Sequence, residues 1–359
     1  MDDALELGIS GDDLGDARPL MEAAAAVMQV RTARWVEQPR ARGGKAADRP
    51  ADRTLEMRGR LLIDSDRAYE WLSERFAALG YVVMLRSKGA DHVLLAMEGR
   101  LPERAGRTGL ALGLFLATVV SVLLVGGSYE TASSGALAEL SGPPSAATLL
   151  SIMVAGLPFA ASLLGILVAH EMGHFVVARW QKIPASWPYF IPMPISLLGT
   201  MGAVIVTKAP PRNRRALLAL GAAGPLAGLV VAIPVLALGL KTSPVIEIPV
   251  GWGGFTEGNS LVYAAMKMLI FGRFLPSGNQ DVLINSVALA GWAGLLVTGI
   301  NLLPAGQLDG GHIAYALLGR YARWLTLAVF GALLVLSFLW QGWLVLAALM
   351  LLLGQVHSV

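Results

Sequence analysis

An HExxH motif, His170-Glu171-Met172-Gly173-His174, closes an apolar run (149–168) that contains no charged residue. A charged group at bilayer depth costs roughly 2.5–3.5 kcal/mol on insertion scales, so three ionisable side chains together require a specific compensation. A bound metal is the most direct one. On a helix, positions i and i+4 share a face, which brings both imidazoles to one zinc ion. Glu171 then stands beside them, placed to take a proton from a water that the metal activates. Chance would produce the motif only about 0.002 times in a chain with five histidines. A histidine pair satisfied by hydrogen bonds in a soluble core helix fits poorly, because the flanks are membrane-like. A purely structural zinc site is the stronger rival. Such sites favour four protein ligands and often cysteine, and the chain has no cysteine. The expectation is one Zn2+ per chain with a position left open to water.

Charge is distributed unevenly. Residues 1–107 carry 17 of the 28 basic and 18 of the 25 acidic residues. With 55% hydrophobic and 15% charged residues overall, the chain pairs a polar N-terminal part with a polytopic membrane part. The basic residues form no patch interleaved with aromatics, so no nucleic-acid partner is expected. The first 20 or so residues are acidic and lack an apolar core, which fits neither a secretory signal nor a transit peptide.

Three divisions are expected. Residues 1–54 form a flexible or partly helical segment, with helical spacing over 18–36 and an Arg/Gly/Pro/Ala-rich linker over 37–54. Residues 55–100 form a small soluble α+β domain. In it a strand leads to a helix capped at Asp64 or Ser65 and ended by Gly80, and a hairpin turns around 87–90. His92 is taken as an ordinary strand residue. Residues 108–359 form the membrane part, with about six transmembrane helices near 110–125, 149–177, 216–240, 282–303, 325–339 and 343–353. The last two runs are short for a full crossing. Pro225 should kink the third helix, whose small residues Gly221, Gly224 and Gly228 suit close helix packing.

Prolines at 184, 188, 192, 194, 210 and 211 forbid helix between the second and third spans. That segment is still apolar, and 199–207 has the pattern of a strand or hairpin embedded in the membrane. Non-helical backbone at that depth must be covered by protein or line a cavity. Gly199, Gly202 and Val204 are therefore candidate substrate-binding positions. Basic clusters before the first span, between the second and third, and after the fourth all fall on one side. The positive-inside rule makes that side cytoplasmic, with the N-terminus and the HExxH end facing it. The expected host is a prokaryotic cytoplasmic membrane.

A catalytic zinc commonly has three protein ligands. Of the acidic residues after Lys182, Glu247, Glu257 and Asp281 fall in an outer loop (241–281) that carries at most a surface helix at 260–271. Asp309 lies at the end of the fourth span, at the depth of HExxH, and is the expected third ligand.

The membrane HExxH, the run 301–311 (NLLPAGQLDGG), LLGTMGAV and AAGPLAG together resemble the site-2 protease family of intramembrane zinc metalloproteases. The wording of 301–312 is close to that of the branch with chloroplast members and prokaryotic counterparts that carry an N-terminal soluble domain. The resemblance implies His170, His174 and Asp309 as zinc ligands and Glu171 as catalytic base. It also implies a substrate-facing role for Asn301, holding a carbonyl or transition-state charge. His312 is expected to support the site without binding metal. Substrates would be membrane-anchored proteins with a transmembrane helix, unwound and added as a strand to 199–207 within the lipid bilayer. Two other readings use the same residues: a transition-metal transporter, and a catalytically inactive scaffold that binds membrane helices. The pattern sets no oligomeric state.

Overall fold

The computed structural model describes residues 6–8, 14–37, 53–88, 91–99, 107–133, 145–207, 211–248, 256–306 and 308–354. The chain divides into two compact units, Met1–Arg104 and Ala105–Val359.

The N-terminal unit is built on a five-stranded sheet. In chain order its elements are β1 (Glu6–Gly8), α1 (Leu14–Ala25), β2 (Met28–Glu37), β3 (Arg53–Leu61), α2 (Ser65–Ala78), β4 (Tyr81–Lys88) and β5 (Asp91–Glu98). The strand order is β1-β2-β3-β5-β4. The β-α-β-β piece forms as its pattern predicts. The Asp64 side chain accepts from Asp66 N–H at the start of α2, and Gly80 ends the turn after it with φ of 86°. His92 sits in β5, opposite Gly59 of β3.

The expected helix over 18–36 is corrected. It stops at Ala25, and the chain continues as β2, antiparallel to β3 from Met28 opposite Leu61 to Glu37 opposite Arg53. Exposed Arg31 and Arg34 lie among buried or half-buried Val30, Ala33 and Trp35, and a register shift between Val30 and Thr32 interrupts the period-2 pattern, which helical spacing in Met21, Ala25 and Met28 further obscured. Ala17, Leu20 and Ala24 of α1 share one buried core with Met57, Leu72, Phe76 and Leu94. The strand β2 from the first stretch thus belongs to the same sheet as the second. The expected linker lies mostly outside the described residues.

The second unit is mainly helical. Its elements are α3 (Thr108–Ser133), α4 (Ala146–Ala155), α5 (Leu157–Trp180), β6 (Tyr189–Pro192), β7 (Thr200–Val204), α6 (Arg214–Lys241), β8 (Val245–Glu247), α7 (Leu261–Phe271), β9 (Gln280–Val282), α8 (Ser286–Asn301), α9 (Asp309–Leu318), α10 (Ala322–Leu336) and α11 (Gly342–Gly354). Four helices among the described residues are long and apolar enough to cross a membrane: Thr108–Ala132, Leu157–Trp180, Arg214–Lys241 and Asp309–Leu336, with mean hydropathy from 1.3 to 2.4.

Three expectations shift here. The run 149–177 is two helices, broken at Gly156. Pro158 starts a new helix there, and a Cβ on Gly156 would stand 2.1 Å from the Leu123 carbonyl oxygen of α3. The run 325–339 does not stand alone. Asp309 begins a nearly continuous apolar stretch through α9, a short 3-10 turn and α10. The span expected at 282–303 is the shorter helix α8, 16 residues and about 24 Å long. Helix α6 forms as expected and is continuous through Pro225 and Pro234.

The proline-rich segment is a hairpin. β6 pairs antiparallel with β7, and a further bridge joins Ala185 to Thr207. It rests on α3: Ser121 Oγ donates to the Gly199 carbonyl at 2.6 Å, and Tyr129 Oη donates to that of Leu197 at 2.5 Å. Phe159, Leu163, Leu167, Phe190, Ala290 and Ala293 form the core between this hairpin and helices α5 and α8.

Candidate metal centre and active site

Two helices bring the three side chains together. Helix α5 places His170 and His174 one turn apart, with their Nε2 atoms 3.3 Å apart. Asp309, the first residue of α9, reaches His170 Nε2 with Oδ2 and His174 Nε2 with Oδ1, both at 3.3 Å. Among the described residues these three side chains form the one His/Cys/Asp/Glu group able to hold an ion, with ligand atoms all within 4.8 Å of one another.

His174 and Asp309 are each held from behind. The Leu220 carbonyl on α6 lies 2.8 Å from His174 Nδ1. A carbonyl can only accept, so Nδ1 carries the proton and Nε2 presents its lone pair to the cluster. Asp309 is set by the turn between α8 and α9. Leu308 and Gly311 N–H groups donate to the Ala305 and Leu308 carbonyls. A Cβ on Gly310 would fall 2.0 Å from the Leu302 carbonyl oxygen, so only glycine lets α9 start this close beneath α8.

The donor set fits a four-coordinate ion. Bonds of about 2.0–2.1 Å in tetrahedral array keep ligand atoms about 3.3–3.4 Å apart. The two Nε2 atoms stand 3.3 Å apart, and the Asp309 carboxylate sets one oxygen 3.3 Å from each. Two neutral imidazoles and one carboxylate leave one position for water or substrate.

A cavity of about 350 Å³ opens on the group. Glu171, Val204, Ile205, Asn301 and His312 line it with His170, His174 and Asp309. Glu171 is 8% exposed. Asn301, the last residue of α8, brings Nδ2 to 3.3 Å from His170 Nε2. His312 lies in the cavity wall one turn into α9, outside the ligating group.

Of the substrate-binding candidates, Val204 and Asn301 line the cavity. Gly199 and Gly202 do not. Gly199, at φ 74°, is used where the hairpin meets α3, since a Cβ there would stand 2.8 Å from Val122 Cα. Gly202, at φ 95°, faces open space.

Sequence reasoning assigned the small residues of α6 to helix packing alone. They also shape the site. A Cβ on Gly224 would fall 2.0 Å from His174 Nε2, and one on Gly228 would fall 3.3 Å from His170 Nδ1. The signal was present as glycines at 221, 224 and 228, but nothing in the sequence says which helix they face.

A family model described as Peptidase family M50 matches residues 158–337. This chain belongs to peptidase family M50. The matched stretch runs from the start of α5 through α10 and includes His170, Glu171, His174, Asn301 and Asp309. Membership in this membrane-embedded family, with four helices suited to crossing, makes the chain an integral membrane protein.

Curated relatives agree with the family assignment. A protein named probable zinc metalloprotease EGY2, chloroplastic, from Oryza sativa subsp. indica is 39% identical over 153 residues, covering 42% of this chain and 27% of the relative. Its counterpart of the same name in Arabidopsis thaliana is 34% identical over 171 residues, 48% of this chain and 30% of the relative. Probable zinc metalloprotease EGY1, chloroplastic, from Oryza sativa subsp. japonica is 32% identical over 187 residues, 50% and 31% respectively. The chain thus spans under a third of the length of these relatives.

Proposed function

We propose that this chain is a zinc-dependent intramembrane endopeptidase. It hydrolyses peptide bonds within or beside the transmembrane segments of membrane-anchored proteins. His170, His174 and Asp309 hold one Zn2+. The observation that carries this reading is the 3.3 Å convergence of three ligating side chains beside Glu171, in the wall of a cavity shared with the hairpin. The relatives' names as zinc metalloproteases support zinc as the ion.

When bound, zinc supplies Lewis acidity toward a substrate carbonyl and a water. Glu171 accepts the water proton on its carboxylate and returns it to the departing amine nitrogen. Its low exposure keeps bulk water from competing for that proton. Asn301 Nδ2 is a fixed donor for charge that develops on the substrate carbonyl oxygen. His174 is kept in one tautomer by the Leu220 carbonyl. A substrate helix hides its amides in i to i−4 hydrogen bonds and must unwind. The free edge of β7 offers its backbone replacement partners.

In this proposal α3, α5, α6, α8, α10 and α11 are the six spans, and 108–359 is the protease domain. Arg107, Arg179, Lys182, Arg212, Arg214, Arg320 and Arg323 support a cytoplasmic HExxH end and N-terminus. We propose a prokaryotic cytoplasmic membrane as host. Membrane fractionation of the native source distinguishes it from the chloroplast location in the relatives' names.

The deciding experiment compares purified wild type with Glu171→Ala for zinc content, zinc flux across vesicles, and cleavage of single-span substrates. The proposal expects equal zinc, no flux, and cleavage by wild type alone. Flux in both proteins would establish a transporter. Helix binding without cleavage in either would establish an inactive scaffold.

A further inference from the structure

Helix α7 is built inside out for a surface helix. Its one charged residue, Lys267, is fully buried, while Leu261 is 92% and Leu269 80% exposed. Leu261, Val262, Ala265, Met268 and Leu269 form one exposed stripe at helical spacing with no polar member. An 11-residue helix is about 16 Å long, too short to cross a bilayer.

Its depth follows from what it packs against. Tyr263 shares a buried core with Leu236 and Ala288, and Leu295 lies against that core. Leu236 lies about 8 Å inside the end of α6, and Leu295 about 14 Å inside the start of α8, at 1.5 Å per residue. Trp292, about 9 Å into α8 by the same measure, donates from Nε1 to the Gly258 carbonyl at 2.9 Å. The segment leading into α7 therefore descends alongside α6 and α8 and does not lie across their ends. This is the end remote from the metal centre, since Leu220, which holds His174, lies about 24 Å along α6 from Leu236.

A lysine at that level must be paired. Lys267 Nζ donates to Glu257 Oε1 at 3.1 Å and to Asp281 Oδ1 at 3.2 Å. The carboxylates are satisfied in turn. Tyr263 Oη donates to Glu257 Oε1 at 2.7 Å, and Val282 N–H donates to Asp281 Oδ1 at 2.8 Å. The one charge on α7 is thus turned inward, where it ties the helix to the residues before and after it. Helix α6 has an exposed apolar side as well, where Val230 is 72% and Leu238 60% exposed.

We infer that α7 is a re-entrant, lipid-facing helix, inserted among the acyl chains of the leaflet remote from the metal centre and held there by the buried Lys267–Glu257–Asp281 cluster. Acyl chains suit a stripe with no hydrogen-bonding group better than a protein partner does, because protein interfaces carry a polar rim and direct hydrogen bonds. Helix α7 differs in kind from the water-exposed surface helix that its short length and polar neighbours suggest.

The chain contains no cysteine, so single labelling sites can be introduced directly. Leu269→Cys is the test position, Val230→Cys the span control and Ser277→Cys the aqueous control. Each full-length variant is labelled with an NBD fluorophore and reconstituted in phosphatidylcholine/phosphatidylglycerol vesicles, with a thermal melt confirming an intact fold. The expected result is that label at 269 matches 230: blue-shifted emission, several-fold quenching by doxyl groups on lipid acyl chains, and protection from iodide. Iodide quenching at 269 equal to that at 277 would overturn the inference. Protection from both quenchers would also overturn it, by showing that a second copy or another protein covers the stripe. The readout needs neither zinc nor proteolysis, so it stands apart from the proposed activity.

Discussion

Gly224 faces the His174 imidazole so closely that a methyl group on its Cα would fall 2.0 Å from Nε2. The atom it crowds is the one that points at Asp309 Oδ1, 3.3 Å away. Helix α6 therefore acts on the metal centre in two ways. The Leu220 carbonyl orients His174 through Nδ1, and Gly224 leaves the space in which Nε2 can converge with its partners.

Gly224→Ala is expected to displace the His174 ring and reduce zinc stoichiometry at least tenfold, because the ring can neither pass through the methyl nor keep its bond to Leu220. Gly228→Ala, whose Cβ would meet His170 Nδ1 at 3.3 Å, needs a shift of only a few tenths of an ångström and should keep most of the metal. Metal analysis of the two purified variants, with thermal melts to exclude unfolding, decides the matter. Equal metal loss would mean that α6 acts by general packing.

Asp309 and His312 stand one turn apart on α9, yet only Asp309 reaches both histidines. Asp309→Ala should lose zinc and proteolysis together, and His312→Ala should keep zinc and much of the cleavage. Zinc content that falls with His312→Ala but survives Asp309→Ala would reassign the third ligand.

How much of this was legible varied with the range of the interaction involved. HExxH is local: four residues of helix fix the spacing of His170 and His174, so the sequence alone placed them on one face. Asp309 is distant in sequence, but membrane depth narrowed the choice, since span boundaries follow from hydropathy. The break at Gly156 was not legible, because its cause is the approach of Leu123 from another helix. β2 was mistaken for helix because Met21, Ala25 and Met28 satisfy helical spacing while its partner strand β3 lies beyond the residues 38–52. Gly199 was assigned to substrate on backbone freedom alone, and contact with α3 uses that freedom instead.

Glu56 of β3 makes the N-terminal unit sensitive to acid. Its side chain is 12% exposed and accepts from Arg34 on β2, at 3.1 Å, and from Arg58. Burial alone would raise its pKa; the Arg58 and Arg34 hydrogen bonds and charges outweigh it and hold the carboxyl below its ordinary 4.5. A folded-state pKa below the unfolded value contributes stability that is present above the unfolded value and is lost as pH falls through the folded one. Hydrogen exchange of 53–61 in the full chain should therefore quicken as pH drops below about 4.5, after correction for intrinsic exchange. Glu56→Gln should remove about 1 kcal/mol at neutral pH and flatten that acid dependence. An unchanged acid dependence in Glu56→Gln would place the sensitivity on another group.

The open edge of the hairpin makes the sharpest test of how substrate is held. Val206 turns both backbone groups toward the β6 side: its N–H donates to Ser186 Oγ at 3.0 Å, and its carbonyl accepts from Ser186 N–H at 3.0 Å. Directions alternate along a strand, so Ile205, which lines the cavity with the metal centre, presents its N–H to the other edge. Val204, opposite Tyr189, faces back toward β6. Ile205→Pro removes a donor from the edge that an unwound substrate would pair with, and should cut cleavage of a single-span substrate at least tenfold while zinc stays bound. Val204→Pro strikes the pairing within the hairpin. Its effect should appear as a lower melting temperature, with any loss of cleavage tracking the loss of folded protein. Full activity in Ile205→Pro, with normal zinc and normal folding, would show that substrate is held elsewhere in the cavity and that the strand serves only as its wall.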